Sequence, residues 1–177
     1  FKARAYITGF TGSAGTAVIT LDEAGLWTDG RYFLQAGKQL EGTTITLRKM
    51  GEPGVPTIPE YLAEALPSGG TLGVDGRVIS VNTGDEYEKI AADKGGKIQY
   101  HQDLIDQIWT DRPELSREPV FALGVEYAGE TTESKLTRIR EEMKKNHADK
   151  HVLTTLDDIC WTLNIRGNDV EFFPLVL

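Results

Sequence analysis

The sequence predicts a mixed α/β fold, in which helices flank a β-sheet that begins with an antiparallel hairpin. Segments with strand and helix patterns alternate along the 177 residues. A glycine-dense stretch over 5–37 holds two strand patterns followed by a helix start. The alternation restarts near residue 124, which predicts the start of a second, related domain. Together these observations indicate a sheet with both parallel and antiparallel pairs.

The strands are predicted from β-branched and alternating apolar runs between turn residues. The run at 16–21 and the short run at 26–28 form the hairpin, because Gly25 can adopt the positive φ that its turn requires. Residues 71–75 are expected to form a buried strand. In chain order, the strand patterns lie at 6–8, 16–21, 26–28, 44–49, 71–75, 97–101, 151–155 and from 170 onward.

The helices are predicted from apolar spacing and from capping residues. Thr28 or Asp29 can cap the first helix, Thr83 and Glu86 have the spacing of a capping box, and Asp157 can cap the last helix. The buried face of the first helix is predicted to consist of four side chains, Tyr32, Phe33, Ala36 and Leu40. The helix patterns lie at 29–40, 59–66, 83–94, 104–109, 133–146 and 157–164.

The domain organisation follows from the loop-like composition around 124–132. We expect a first domain over residues 1–128 and the start of a second over residues 129–177. Residues 6–21 and 161–176 share a coarse outline of an aromatic residue, a glycine turn and a strand, but this repeat is weak. Because the chain starts without methionine and stops in an apolar run, it is interpreted as a piece of a longer polypeptide.

Composition and charge exclude several classes of function. The net charge of −8 argues against nucleic acid and anionic membranes as main partners. No apolar run approaches the roughly 20 residues that a membrane-spanning helix needs. The single cysteine, Cys160, rules out a disulfide within the chain and favours a reducing, cytoplasmic location.

No residue pattern in this chain predicts a catalytic or metal site. The glycines at 9, 12 and 15 lead into a strand, whereas a phosphate-binding loop needs a helix N-terminus directly after it. His147 and His151 have the spacing of zinc ligands, but they lack an adjacent glutamate and a nearby third ligand. Cys160 has no basic neighbour and is expected to be buried. Asp157 and Asp158 are explained by a helix N-terminus.

One cluster remains as a candidate site, the Trp-Thr-Asp-Gly-Arg-Tyr sequence at 27–32. It lies at a predicted strand-to-helix junction, where open sheets commonly bind ligands. Arg31 could hold a carboxylate through two hydrogen bonds, or Asp29 and Arg31 could simply stabilise the turn. The sequence leaves both alternatives open.

Several motifs resemble the N-terminal part of Xaa-Pro aminopeptidases of the long, three-domain, cytosolic type. They are Tyr-Ile-Thr-Gly-Phe-Thr-Gly-Ser-Ala-Gly at 6–15, the cluster at 27–32, Leu-Ile-Asp-Gln-Ile-Trp-Thr-Asp-Arg-Pro at 104–113, Leu-Asp-Asp-Ile-Cys-Trp at 156–161 and Asn-Ile-Arg-Gly-Asn-Asp-Val at 164–170. The resemblance implies two creatinase-type N-terminal domains followed by a pita-bread catalytic domain that is absent from this chain. That domain would hold two metal ions, usually Mn²⁺.

The same resemblance implies a function for the whole enzyme and a small role for this part. The enzyme would remove the N-terminal residue from peptides with proline at position two, and Arg31 would contact the substrate. This chain alone is expected to be inactive, without catalytic or metal-binding residues. A homodimer is expected, with a possible exchange of segments between chains. The alternatives are a catalytically dead binding or dimerisation module and a nucleotide-binding domain that uses the glycine loop.

Overall fold

The computed structural model describes residues 2–170 and 172–177. The chain divides into two compact units, Phe1–Arg112 and Pro113–Leu177, and helices and small mixed sheets occur as the sequence predicts. The division lies before the boundary predicted near residue 128. The segment before residue 128 belongs to the second unit because it contains a short strand, Phe121–Ala122, that pairs with Ile165–Arg166.

The first unit contains two sheets and five α-helices among its described residues. Its strands are β1 (Thr16–Ile19), β2 (Ala24–Thr28), β3 (Ile45–Lys49), β4 (Thr71–Gly73) and β5 (Lys97–Gln99). Its helices are α1 (Ala3–Thr8), α2 (Phe33–Gln39), α3 (Ile58–Ala65), α4 (Val81–Asp93) and α5 (Leu104–Ile108), with a 3₁₀ turn at Gly30–Tyr32 before α2.

The main sheet has the order β1-β2-β3 and is mixed, as predicted. Strands β1 and β2 form the antiparallel hairpin, with Thr16 opposite Trp27 and Ile19 opposite Ala24. Strand β3 runs parallel to β2, because α2 carries the chain back across the sheet. The central strand β2 is the most buried of the three, so it positions the turn that follows it.

The core of the first unit lies between this sheet and α2. Phe10, Leu26 and Ala36 are fully buried and Leu40 is nearly so. Four partly buried side chains pack around them, namely Ala17, Tyr32, Ile45 and Leu47. The predicted inner face of α2 is therefore confirmed for Ala36 and Leu40, whereas Tyr32 and Phe33 are only half-buried.

The first predicted strand, over residues 6–8, is wrong, because these residues belong to α1. Gly9 ends the helix in the left-handed conformation, with φ 71°, and donates its backbone N–H to the carbonyl oxygen of Ala5. The Tyr6 ring stacks on Trp109 at a centroid distance of 4.2 Å. This contact stabilises a helix whose local sequence favours a strand.

The small parallel pair β4–β5 lies with α3 and α4. Strand β4 is exposed at both ends rather than buried along its length, and among the strands of the described residues it pairs with β5 alone. Helix α4 begins at Val81, and the side chain of Ser80 caps it by accepting a hydrogen bond from the Thr83 N–H. The capping box predicted at Thr83 is therefore wrong, because the helix begins about one turn earlier. A capping box does occur at Thr57 and Glu60, at the start of α3.

The second unit contains a two-stranded antiparallel sheet and three helices among its described residues. They are β6 (Phe121–Ala122), α6 (Val125–Ala128), α7 (Thr132–Lys145), α8 (Leu156–Leu163) and β7 (Ile165–Arg166). The strand predicted over 151–155 is wrong, because this segment pairs with no strand of the described residues. Asp157 is not the cap of α8; it lies in the first turn, after Thr155.

The end of the chain departs from the predicted strand as well. Val170 forms an isolated antiparallel bridge with Phe173, and Glu171 lies outside the described residues. Among the helices of the described residues, none combines the length and the apolar character that crossing a membrane requires.

Candidate functional site

The glycine loop over 9–15 is held by an arginine that the sequence analysis missed. Arg4, on α1, donates from Nη1 to the carbonyl oxygen of Gly15 at 2.6 Å and from Nη2 to that of Gly12. Its guanidinium also lies 5.4 Å from the ring centre of Phe10. Since these contacts use carbonyl oxygens of the loop, the glycines serve a tight passage of the chain rather than a cradle of N–H groups for an anion.

Gly12 brings the loop against the turn after β2. A Cβ atom at this position would overlap the Phe10 ring and would lie 2.8 Å from Cδ1 of Tyr32. Without it, Phe10 and Tyr32 pack edge to face at a centroid distance of 5.8 Å. The hydroxyl groups of Ser13 and Tyr32 share a hydrogen bond of 2.5 Å. The loop and the turn therefore form one continuous surface.

The buried end of β2 holds the surface that the glycine loop and the turn form. Thr28 is fully buried and donates its hydroxyl hydrogen to the carbonyl oxygen of Ala14 at 2.7 Å. On the outer side, Thr11 accepts hydrogen bonds from the side-chain amides of Gln35 and Gln39 on α2. Sheet, loop and helix thus position the residues at 29–32.

Asp29 and Arg31 form a fork in this turn. Oδ1 of Asp29 accepts from the backbone N–H of Arg31 at 3.1 Å and from its Nε at 2.8 Å. Oδ2 of Asp29 accepts from Nη2 of Arg31, also at 2.8 Å. The fork does not use Nη1, and the Arg31 side chain remains 69% exposed. Its guanidinium lies 5.3 Å from the ring centre of Tyr32.

The electrostatics of the turn follow from this fork. Its hydrogen bonds and the positive charge of Arg31 lower the pKa of Asp29 to about 2. The carboxylate correspondingly raises the pKa of Arg31 above its ordinary value. Both groups are therefore charged at neutral pH, and together they carry no net charge.

A second Asp-Gly-Arg sequence, at 75–77, folds in the same way. Oδ1 of Asp75 accepts from the backbone N–H of Arg77 at 3.0 Å and from its Nε at 2.9 Å. Nη2 of Arg77 donates to Oδ2 of Asp75 at 2.8 Å and also to Asp103 at 3.0 Å. The repeated tripeptide was visible in the sequence, and noticing it would have predicted the second fork.

The second fork lies in a network of charges beside a cleft of about 570 Å³. Asp103, whose side chain is only 10% exposed, also accepts from Nη1 of Arg112 at 2.6 Å, and this bond lowers its pKa. Arg112 in turn contacts Asp106 at 2.9 Å. Two carboxylates thus surround Arg77, whereas Arg31 pairs with one.

The other residues considered in the sequence are found away from any such cluster. His147 has a left-handed backbone at the end of α7, and His151 follows in an exposed segment. Cys160 is buried, as predicted. Within residues 2–170 and 172–177, no three side chains of His, Cys, Asp or Glu lie close enough together to hold a metal ion.

Comparison with known families agrees with this architecture. Residues 2–108 match the creatinase/prolidase N-terminal domain family, and residues 111–177 match a second family of the same description. The first match covers more than half of the chain. This chain belongs to the creatinase/prolidase N-terminal domain family. The two matches meet where the structure divides into its two units.

Similar proteins with assigned names belong to the aminopeptidase P group. The chain is 43% identical over 99% of its length to Aminopeptidase P2 of Arabidopsis thaliana and 44% identical over 97% to a probable Xaa-Pro aminopeptidase P of Neurospora crassa. It spans about a quarter of the length of these curated relatives, 25% of each. The resemblance that the sequence motifs indicate is therefore confirmed.

A solved structure confirms the fold. The crystal structure of X-prolyl aminopeptidase from Caenorhabditis elegans, described as a cytosolic enzyme with a di-nuclear active site, superposes with a TM-score of 0.85. It is 40% identical and covers 98% of this chain, which corresponds to 28% of that enzyme. The creatinase-type α/β fold expected from the motifs is thus confirmed.

Proposed function

We propose that this chain is the N-terminal, non-catalytic region of an Xaa-Pro aminopeptidase. The whole enzyme would remove the first residue from peptides whose second residue is proline. The observation that carries this proposal is the TM-score of 0.85, at 40% identity over 98% of the chain, to an X-prolyl aminopeptidase. The identities of 43% and 44% to aminopeptidases P support it independently.

The metal chemistry of such an enzyme does not fit the side chains of this region. The described residues bring together no group of three metal-ligating side chains. We propose that two ions, Mn²⁺ by the family resemblance, are held by another part of the enzyme. There they would supply the nucleophile for hydrolysis. The contribution of the present region is to orient the peptide.

Arg31 is the residue that we propose for this contact. Its side chain is 69% exposed, and the fork with Asp29 and the ring of Tyr32 fix its position. Tyr32 in turn connects the turn to the glycine loop through the hydrogen bond of its hydroxyl group with Ser13. An exposed but fixed arginine loses little conformational entropy when it binds a ligand.

The test compares the isolated chain with the whole enzyme. The purified chain, supplied with Mn²⁺, is expected to show no hydrolysis of a peptide with proline at position two, while the whole enzyme is active. Hydrolysis by the isolated chain would contradict the non-catalytic role. If the metal-loaded whole protein is inactive as well, the chain belongs instead to a binding or dimerisation module.

We also propose a cytosolic location and self-association of the chain. The location is supported by the cytosolic relative and the single unpaired cysteine. Self-association is supported by apolar side chains exposed in the second unit, with Phe172 94% and Phe173 59% accessible. Light scattering at increasing protein concentration is expected to show a dimer, with or without exchange of segments. A constant monomer mass over that range would contradict this prediction.

A further inference from the structure

We propose that Asp29 is a site of isoaspartate formation which Arg31 restrains, and that Asp75, in the second Asp-Gly-Arg turn, is better protected. The Asp-Gly sequence occurs twice in the chain, at 29–30 and at 75–76. Isoaspartate forms most easily in this dipeptide, because glycine has no side chain to obstruct its own backbone nitrogen. The proposal stands apart from the proposed function, since it concerns the chemistry of the turn itself.

The reaction needs no partner other than water. The backbone nitrogen of Gly30 attacks Cγ of the protonated Asp29 carboxyl group, a C–N bond forms, and the hydrogen of the nitrogen leaves with the carboxyl hydroxyl group as water. A second water molecule then opens the resulting succinimide ring. When it breaks the bond between the nitrogen and the original main-chain carbonyl carbon, the chain continues through Cγ as isoaspartate. The product is an isomer of the starting protein, and nothing is oxidised or reduced.

The fork opposes ring closure by holding the carboxyl group. Oδ1 of Asp29 accepts from the backbone N–H of Arg31 at 3.1 Å and from its Nε at 2.8 Å, while Oδ2 accepts from Nη2 at 2.8 Å. A succinimide ring is nearly planar, so Cβ of Asp29 and the nitrogen of Gly30 must become eclipsed about the Cα–C bond. At the observed ψ of 172° they are staggered. Rotation about this bond moves Arg31 relative to the carboxyl group, so the fork must open first.

The charge of Arg31 opposes the reaction as well. The protonated carboxyl group loses its oxygen as water far more readily than the carboxylate does. Hydrogen bonds from Arg31 lower the pKa of Asp29 to about 2, so the protonated form is rarer at neutral pH than in an aspartate without such a partner. Each unit by which the pKa rises again makes that form about tenfold more abundant.

The two turns differ at the attacking nitrogen. The Gly76 N–H donates to the carbonyl oxygen of Tyr100 at 3.0 Å, and a Cβ atom at Gly76 would lie 3.1 Å from that of Tyr100. No backbone carbonyl group of the described residues binds the Gly30 N–H in this way. A Cβ atom at Gly30 would meet one described atom within 4 Å, Cε2 of Phe33 at 3.9 Å. Attack in the second turn therefore requires breaking an additional hydrogen bond.

The experiment follows both turns in one sample of the whole protein that contains this chain. The protein is kept at neutral pH and body temperature over several weeks and digested, and its peptides are separated. An isoaspartyl peptide has the mass of the aspartyl peptide but a different retention time, and an isoaspartate-specific methyltransferase labels it. Isoaspartate is expected to accumulate faster at residue 29 than at residue 75. In urea, where neither fork is retained, the two rates should be similar.

Arg31→Leu and Arg77→Leu are matched variants, since each removes the fork from one turn and both side chains are 69% exposed. Arg31→Leu is expected to raise the rate at residue 29 about tenfold, as a pKa rise of about one unit would, and to leave the rate at residue 75 unchanged. The rate at residue 29 in Arg31→Leu should exceed the rate at residue 75 in Arg77→Leu about fivefold, the factor of one hydrogen bond. Adding Gly30→Ala to Arg31→Leu should lower the rate again, because its Cβ atom obstructs the nitrogen.

Two results would overturn the proposal. If folded Arg31→Leu forms isoaspartate at residue 29 no faster than the unsubstituted protein, Arg31 does not restrain the reaction. If residue 75 reacts as fast as residue 29 in the folded protein, the hydrogen bond of Gly76 gives no protection. Unfolding would raise both rates together, and Arg31→Lys, which keeps the charge without the paired hydrogen bonds, then replaces Arg31→Leu, with a rise at residue 29 alone as the expected result. None of these measurements uses peptide hydrolysis, so they leave the proposed function to its own test.

Discussion

Replacing Gly12 with alanine is expected to lower the free energy of unfolding of the first unit by about 3 kcal/mol. The added methyl group would overlap the Phe10 ring and lie 2.8 Å from Cδ1 of Tyr32. Overpacked cores relieve such overlaps only by moving side chains out of their rotamers or by shifting the backbone. At Gly12 neither route is easy.

The surroundings of Gly12 explain why the strain cannot be relieved. The Phe10 side chain is fully buried at the centre of the core, with Leu26 and Ala36 beside it. The backbone cannot shift freely either, because Arg4 holds the carbonyl oxygens of Gly12 and Gly15. The substitution would therefore disturb α1, the loop and the Tyr32 contact together.

Gly37→Ala is the matched control for this prediction. Gly37 lies within α2, and a Cβ atom there meets no described atom within 4 Å. Alanine should stabilise the helix by about 0.5–1 kcal/mol. Hydrogen exchange of the β2 amides measures both effects in the first unit alone. Equal protection in the two variants would show that the packing around Gly12 is looser than the structure indicates.

Local sequence signals were sufficient for most of the first unit. The strands β1, β2 and β3 follow from β-branched and alternating apolar runs, and the 3₁₀ turn that leads into α2 follows from its capping residue Asp29. Gly25, predicted as the turn glycine of the hairpin, lies inside β2 opposite Val18 and does not have a positive φ, so that part of the prediction is wrong. These signals agree with the tertiary packing, since the same apolar residues form the core. Where local preference and packing agree, sequence patterns are reliable guides.

The two wrong strand predictions concern segments whose structure depends on contacts with distant residues. Residues 6–8 favour a strand locally, but Tyr6 stacks on Trp109, which lies far away in the sequence. The segment 151–155 has a strand pattern, yet no strand of the described residues pairs with it. Pairing and stacking over long sequence separations cannot be read from a short window of residues.

In the candidate site too, local contacts could be predicted from the sequence and contacts between distant residues could not. The alternative in which Asp29 and Arg31 stabilise the turn was visible locally, because their hydrogen bonds join residues two apart. The bond between Ser13 and Tyr32 and the clamp by Arg4 were missed, since they connect the turn and the loop to other elements. Arginines in the helix before a glycine loop give no distinctive pattern. Only the structure shows which carbonyl groups they reach.

The stability of the second unit depends on a buried lysine, as that of the first unit depends on the packing around Gly12. Lys135 lies on α7 and is only 2% exposed, whereas the apolar side chains of the same helix, Leu136, Ile139 and Met143, are half-buried. Replacing Lys135 with methionine is expected to lower the free energy of unfolding of this unit by about 3 kcal/mol. Methionine keeps most of the side-chain volume, so the loss reports on the ammonium group.

The ammonium group of Lys135 satisfies acceptors at the end of α8. It donates to the carbonyl oxygen of Trp161 at 2.7 Å and to Oδ1 of Asn164 at 2.6 Å, and it lies 4.2 Å from the Trp161 ring centre. The last turn of a helix carries unpaired carbonyl groups and a partial negative charge, which a cation stabilises. Without the lysine, buried acceptors lose their donor, at about 1–3 kcal/mol each.

Two further variants separate this capping role from simple packing. Lys144→Ala removes an exposed lysine from the same helix and should change stability by less than about 0.5 kcal/mol. Asn164 has φ 51°, so glycine fits its backbone while removing the Oδ1 acceptor. The loss of unfolding free energy in the double variant Lys135→Met with Asn164→Gly should therefore be smaller than the sum of the losses in the two single variants. Hydrogen exchange of the α8 amides at increasing urea concentration measures these losses in the second unit. Strict additivity would show that Lys135 and Asn164 do not act as a pair, and the loss in Lys135→Met would then have to come from the ring of Trp161 and the helix terminus alone.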